Sequence, residues 1–189
     1  MALPSVKRAH PVLSSIYNNV RFFNSKEMAY SEKRLIGFSR EQMYDVVSNV
    51  SEYNQFVPWC RKSIVHHEHS NSQLAELEIG FPPLVESYTS RVIHVRPAVV
   101  HSVCVDHKLF KTLDTTFRFG SGKSDNPNTC TLHYDLTFEF QSSLHSRIAH
   151  LFFDQVVKTM VTAFLSRAET KYGEPSINHS APKVLQYKS

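Results

Sequence analysis

Between residues 130 and 140 apolar and polar side chains alternate without a break. Cys130, Leu132, Tyr134, Leu136, Phe138 and Phe140 fall on one side, and Thr131, His133, Asp135, Thr137 and Glu139 on the other. This is the period-two signature of a strand with one buried face. Leu113, Thr115, Phe117 and Phe119 repeat it one run earlier. Strand-like runs cover 62–68, 74–79, 85–95, 99–106, 109–119 and 129–141, with turn residues at Asn71-Ser72, Arg96-Pro97, His107-Lys108 and 121–128. Six such runs separated by short turns predict an antiparallel meander.

The period changes on either side of the meander. Residues 30–38 read as a strand, and Ser39 with Gln42 three positions on forms a capping box. Met43, Val46, Val47 and Val50 then follow the i, i+3, i+4, i+7 spacing of a helix with one buried face. A second short helix over 51–57 is stopped by Pro58. After the meander, a long helix is predicted from Ser142 or Ser143 to Gly173, with Pro175 just beyond. Leu144, Ile148, Phe152, Val156, Met160, Phe164 and Ala168 form one apolar lane, and Ala149, Phe153, Val157, Val161 and Leu165 the lane beside it. Arg147, Asp154, Lys158, Thr162 and Glu169 occupy the other side, so the apolar stripe is wide and faces a sheet. The expected fold is α+β: a curved antiparallel sheet wrapped around a long C-terminal helix, with two short helices after the first strand. Such a sheet and helix often enclose a cavity. Residues 174–189 read as a disordered polar tail.

One stretch breaks the pattern. In "GFPPLVESYTS", residues 80–90, a strand stops at Gly80, passes through Pro82 and Pro83 and resumes. Two prolines cannot donate to a ladder, so the segment belongs at an edge or on a loop. Apolar Phe81 and Leu84 on that loop either fold back over the core or meet something other than water. Glu76 and Glu78 fall on the solvated face opposite Ala75, Leu77 and Ile79, while Glu86 is free to face solvent or the cavity. Trp59, after Pro58, is either a core aromatic or an aromatic at the cavity mouth.

Charge changes the picture at the N-terminus alone. The chain of 189 residues carries a net +4, but residues 1–26 hold Lys7, Arg8, Arg21 and Lys26 and no acid, leaving 17 basic and 17 acidic side chains in the rest. A neutral body argues against nucleic acid. The basic, Ser- and Asn-rich leader, taken as residues 1–28, has the composition of a mitochondrial transit peptide or of a disordered basic tail. Three widely spaced cysteines indicate neither a disulfide framework nor a zinc site. No apolar run reaches the roughly 18–20 residues of a spanning helix.

Catalytic signatures are missing. The sequence contains no Gly-x-Ser-x-Gly elbow, glycine-rich phosphate loop or His-Glu-x-x-His. His66, His67 and His69 cluster beside Glu68, where an exposed hairpin end competes with weak metal capture. An enzyme would have to assemble its polar groups from Tyr88, Arg91, Tyr134 and Glu86.

Three strings carry a resemblance. "YSEKRLIGFSREQMYDVVSNVSEYNQFVPWCRKS" (30–63), "EIGFPPLVESYTSRV" (78–92) and "FEFQSSLHSRIAHLFFDQVVKTMVTAF" (138–164) closely resemble the mitochondrial coenzyme Q-binding proteins of the polyketide cyclase/START-like lipid-binding superfamily. The similarity covers residues 29–173. It implies a helix-grip domain holding ubiquinone in a hydrophobic tunnel, peripheral on the matrix side of the mitochondrial inner membrane. It further implies a role in respiratory electron transport and ubiquinone biosynthesis, without catalysis or a catalytic cofactor. Implied partners are ubiquinone, the membrane surface, and quinone biosynthetic enzymes or respiratory complexes. On that fold the expected tunnel wall includes Leu77, Tyr88, Phe117, Phe119, Leu136, Phe138, Phe153, Val157 and Met160. The expected mouth and membrane contact comprises Trp59, Phe81, Pro82, Pro83, Leu84 and Glu86, with Phe81 and Leu84 entering the bilayer. One departure lies at Phe117, where the family often carries Trp. A START-like interaction module, as in related ribosome-associated bacterial domains, and a cyclase-like enzyme are the rival readings.

Overall fold

The computed structural model describes residues 27–189, apart from Pro83, Ser143, Leu144, Ser146, Arg147 and the side chain of Glu68. The leader over 1–26 lies outside the described residues. The chain runs through β1 (Met28–Ile36), helix α1 (Arg40–Ser48) and a 3-10 segment (Val50–Gln55). The meander follows as β2 (Cys60–His69), β3 (Ser72–Phe81), β4 (Leu84–Val95), β5 (Val99–Cys104), β6 (Phe110–Ser121) and β7 (Cys130–Phe140). Helix α2 (Ala149–Tyr172) and β8 (Lys183–Lys188) complete it. All eight strands form one antiparallel sheet in the order β2-β3-β4-β5-β6-β7-β1-β8.

Local chemistry explains most of these elements. The capping box forms: Ser39 Oγ accepts from the Gln42 amide at 3.2 Å, and Gln42 Oε1 accepts from the Ser39 amide at 2.9 Å, satisfying two otherwise orphaned donors at the start of α1. The predicted second helix is a short 3-10 segment of two turns. The alternation of β7 is realised at every position, odd partners half-buried and even ones buried. Helix α2 is described from Ala149, Ser143 as expected N-cap lying outside the described residues, and Gly173 closes it with φ 85°, a conformation glycine adopts without strain.

The C-terminal tail departs from the expectation of disorder. After Gly173 the chain turns back along β1: the Ser176 amide donates to Gly37 O at 2.8 Å and the Ser180 amide to Leu35 O at 2.9 Å. It then adds β8 to the outer edge of β1. Gly37 permits this approach, since a Cβ there would stand 2.4 Å from the Ile177 carbonyl oxygen. Tyr187 reaches across to α2, its ring 5.3 Å from that of Phe153.

Burial of β1 includes a charge. Glu32 is 1% exposed, accepting from Tyr30 Oη at 2.6 Å and from Arg34 Nε at 2.7 Å. Its inward register position opposite Tyr134 makes Arg34 a structural counter-ion rather than a surface partner.

Candidate functional site

Helix α2 lies across the concave face of the sheet without filling it. The space between them, about 1000 Å³ with its mouth included, is walled by β3 to β7, by α2 and by the segment from Val47 to Cys60. Phe152, Val156, Met160 and Phe164, one residue per turn, form the helical wall. Leu77, Ile79, Tyr88, Val92, Phe110, Leu113, Phe117, Leu136 and Phe138 contribute from the sheet. The lining is apolar with few polar groups, as small-molecule sites are.

Aromatic contacts give the chamber two ends. At one, Phe152 meets Phe81 at 5.3 Å and Trp59 at 6.2 Å between ring centroids, and Trp59 meets Phe81 at 5.3 Å. At the other, Phe164 meets Tyr53 at 5.3 Å and Phe117 at 5.0 Å, and Phe117 meets Tyr134 at 4.8 Å. Phe152 and Phe164 are separated by roughly 18 Å along the helix axis at about 1.5 Å per residue.

The connecting segment is held from both sides. Arg167 donates to Glu52 at 2.7 Å and to Gln55 at 2.9 Å, with its guanidinium 5.4 Å from the Phe56 ring centre, which ties the 3-10 segment to α2. Hydrogen bonding to Arg167 holds the Glu52 carboxyl below the usual carboxylate range. Trp59 adopts φ 62°, a left-handed conformation uncommon for a bulky residue. The Gly80 amide donates to its carbonyl at 2.8 Å, fixing the indole against the chamber.

Polar atoms inside are few. Tyr53 Oη donates to Val47 O at 2.5 Å. Tyr88 and Tyr134 also line the chamber. Burial raises the pKa of all three phenols, so each remains a neutral donor throughout the physiological range. Burial likewise raises the Cys60 thiol to about 11.

This yields a pH prediction. A phenol whose folded pKa lies above its unfolded value of 10 contributes stability that is present below pH 10 and lost as pH rises above it, because the unfolded chain releases a proton the folded chain retains. The melting temperature is therefore expected to fall steadily between pH 9.5 and about 11.5, and less steeply in Tyr134→Phe. Parallel slopes for the two proteins in thermal melts would show that Tyr134 carries none of the effect.

Of the expected tunnel residues, Leu77, Tyr88, Phe117, Leu136, Phe138 and Met160 line the chamber. Phe119, Phe153 and Val157 do not. Phe119 and Phe153 are buried elsewhere in the core, and Val157 is half-buried against it. On the helix, therefore, the lane through Phe152, Val156 and Phe164 faces the chamber. Of the residues expected at the mouth, Trp59 lines the space and Phe81 packs on it.

Leu84 is 3% exposed, which overturns its assignment to the bilayer. It sits at the start of β4, paired in register with Phe81, so its side chain belongs to the core. Pro82 is exposed in the turn, Pro83 lies outside the described residues, and Glu86 faces solvent. The site residues absent from the sequence reading are chiefly Tyr53, Val156 and Phe164. The helical spacing of Val156 and Phe164 was visible, but not which lane faced a void. His66 pairs with Glu76 at 3.1 Å, and among the described residues no group of three side chains is arranged to hold a metal.

An antiparallel sheet closed over one long helix, with an apolar chamber between them, defines a helix-grip, START-like protein. The chain belongs to the polyketide cyclase/dehydrase and lipid transport family, whose model matches residues 36–165. It is similar to the mitochondrial coenzyme Q-binding protein COQ10 homolog B of Xenopus laevis, 47% identical over 162 residues, 86% of this chain and 66% of the relative. It is also similar to the mitochondrial coenzyme Q-binding protein COQ10 of Drosophila melanogaster, 44% identical over 82% of this chain and 64% of that protein. The chain thus spans just under two thirds of the length of these relatives. Among solved structures, the Zhui aromatase/cyclase from Streptomyces sp. R1128 matches with a TM-score of 0.63 over 77% of this chain and 95% of that one. At 14% identity it supports the fold alone.

Proposed function

We propose that the chain binds coenzyme Q in the chamber between sheet and helix and acts as a carrier for it, supporting respiratory electron transport and ubiquinone biosynthesis. The observation that carries this reading is a chamber walled almost entirely by aliphatic and aromatic side chains, in a chain similar to coenzyme Q-binding proteins. Burial of apolar ligand surface at about 25 cal/mol per Å² drives such binding without any charged anchor. A catalytic role is disfavoured by the wall itself: of the four candidate polar groups, Tyr88 and Tyr134 line the chamber, while Arg91 and Glu86 are exposed on β4. Two neutral phenols supply no general base near neutral pH. Extraction of the purified full chain with organic solvent, followed by mass spectrometry, is expected to recover ubiquinone. Recovery of fatty acids or phospholipid alone would refute the reading.

The same proposal places the protein on the matrix face of the mitochondrial inner membrane, in keeping with the mitochondrial relatives. Among the described residues no helix is long and apolar enough to cross a bilayer. The docking surface is the Trp59–Phe81–Phe152 end. Val85, 53% exposed, is paired with Gly80 beside Phe81, and Leu151, 65% exposed, precedes Phe152. With Pro82 these residues present an apolar rim at the chamber's end.

Replacing Val85 and Leu151 by Ser is expected to reduce liposome partitioning about ten- to hundredfold, given about 1.5–3 kcal/mol per large apolar side chain and partial burial already present. The melting temperature should hold. Phe81→Ser with Leu84→Ser should show the opposite pattern, a large drop in melting temperature. Flotation assays beside thermal melts separate the two, and unchanged flotation of a folded Val85/Leu151 variant would remove this surface from the docking site.

A further inference from the structure

Between α2 and β8 the chain is tied to the end of β1 by side chains that stand in for a ladder. The amides of Ser176 and Ser180 donate to the carbonyls of Gly37 and Leu35. The return bonds end on side chains: the Leu35 amide donates to Ser180 Oγ at 2.8 Å, and the Gly37 amide to His179 Nδ1 at 3.1 Å. The same segment grips α2 at two points outside the chamber lining. His179 Nε2 lies 3.6 Å from Glu169 Oε1, and Tyr187 Oη donates to Asp154 while its ring packs on Phe153. Those points stand roughly 22 Å apart along the helix axis at about 1.5 Å per residue. All of this lies beyond residues 36–165, the part that the family model matches.

We propose that residues 174–188 form a strap that clasps α2 to β1, and that the neutral imidazole of His179 is its latch. Because the Gly37 amide donates to Nδ1, the docked ring carries its proton on Nε2, facing Glu169. An imidazolium has a donor at both nitrogens. No rotation of the protonated ring therefore offers an acceptor to the Gly37 amide, which belongs to a buried residue, and a buried donor left without a partner is costly. The ring is packed 5.6 Å from that of Phe38, itself 2% exposed. The charged groups that face it are Glu169 of α2 and Arg34 of β1. Burial lowers the imidazole pKa from its ordinary 6.5, with the Glu169 carboxylate opposing and the Arg34 guanidinium reinforcing the shift. A docked pKa below the undocked one gives the sign: docking has full strength above about pH 6.5 and weakens as the pH falls towards the docked value, by up to about tenfold per pH unit. Since α2 carries Phe152, Val156, Met160 and Phe164, the strap braces the helical wall of the chamber, and acidification loosens it.

Hydrogen exchange of the full chain, read by mass spectrometry at pH 7.5 and 5.5 and corrected for the intrinsic rate, tests this beside an NMR titration of the His179 ring. Protection over residues 176–188 is expected to fall by up to about tenfold across the imidazole titration, and protection at the Glu169 end of α2 to fall with it, while β7 stays protected. In His179→Asn, whose Oδ1 accepts from the Gly37 amide without titrating, the strap should be equally protected at both pH values. A ring that protonates while the strap stays protected, or the same pH-dependent loss in His179→Asn, overturns the latch. Loss over the strap with α2 unchanged overturns the clasp on the helix. Simultaneous loss in β7 would show unfolding of the whole domain and overturn both.

Discussion

Val156→Lys is expected to abolish lipid retention and to lower the melting temperature, while Val157→Lys, one residue on, keeps both the fold and the lipid. Val156 is 4% exposed and faces the chamber from the middle of α2. An ammonium there has no carboxylate partner on the chamber wall, and leaving a charge buried and uncompensated costs about 3–5 kcal/mol. The chain escapes that cost only by letting water into the chamber beside the charge, which displaces an apolar ligand. Val157 is half-buried and outside the lining, so a lysine stem can lie along the surface with its head in water. Thr162→Lys, on the exposed face, should be nearly silent. Co-purified lipid measured by mass spectrometry, beside thermal melts, decides the matter. Equal lipid loss in the Val156 and Val157 variants would mean that the helix presents both lanes to the ligand.

The second large effect is expected outside the chamber lining. Arg34→Met strands Glu32, which is 1% exposed and otherwise held only by Tyr30 Oη. Removing one partner of a buried pair costs about 3–5 kcal/mol, which for a domain of this size lowers the melting temperature by about 6–20 °C at roughly 2–4 °C per kcal/mol. Replacing both charges, Glu32→Leu with Arg34→Met, should recover most of the loss, since an apolar pair of similar volume needs no compensation. Calorimetry of the three proteins tests this. A single variant melting within about 2 °C of wild type would show that solvent reaches Glu32 and that the pair does not stabilise β1.

The identity and order of the main elements follow from the sequence alone, because each is encoded by its own residues. Ser39 and Gln42 set the start of α1 through a reciprocal hydrogen bond that needs no tertiary partner. The unbroken alternation of Cys130 to Phe140 specifies a strand and its inward face together, since a one-residue slip would turn every aromatic to water. The strings shared with coenzyme Q-binding proteins likewise carried the family assignment, now supported by the match over residues 36–165.

Tertiary structure decided what periodicity leaves degenerate. The apolar stripe of α2 is two lanes wide because the curved sheet wraps two sides of the helix, and only packing distinguishes Val156, facing the chamber, from Phe153, packed on Phe138 and Tyr187. Leu84 looked like a lipid-facing residue beside two prolines, yet its pairing with Phe81 turns it into the core. Strand β8 left no signature at all. Every one of its residues is exposed, and it is recruited by backbone hydrogen bonding to the open edge of β1, which any extended segment that reaches it can satisfy. The sequence determines which side chains are apolar and at what period. The curvature of the sheet over the helix decides which of them border a void, because that depends on how far apart two separately encoded faces come to rest.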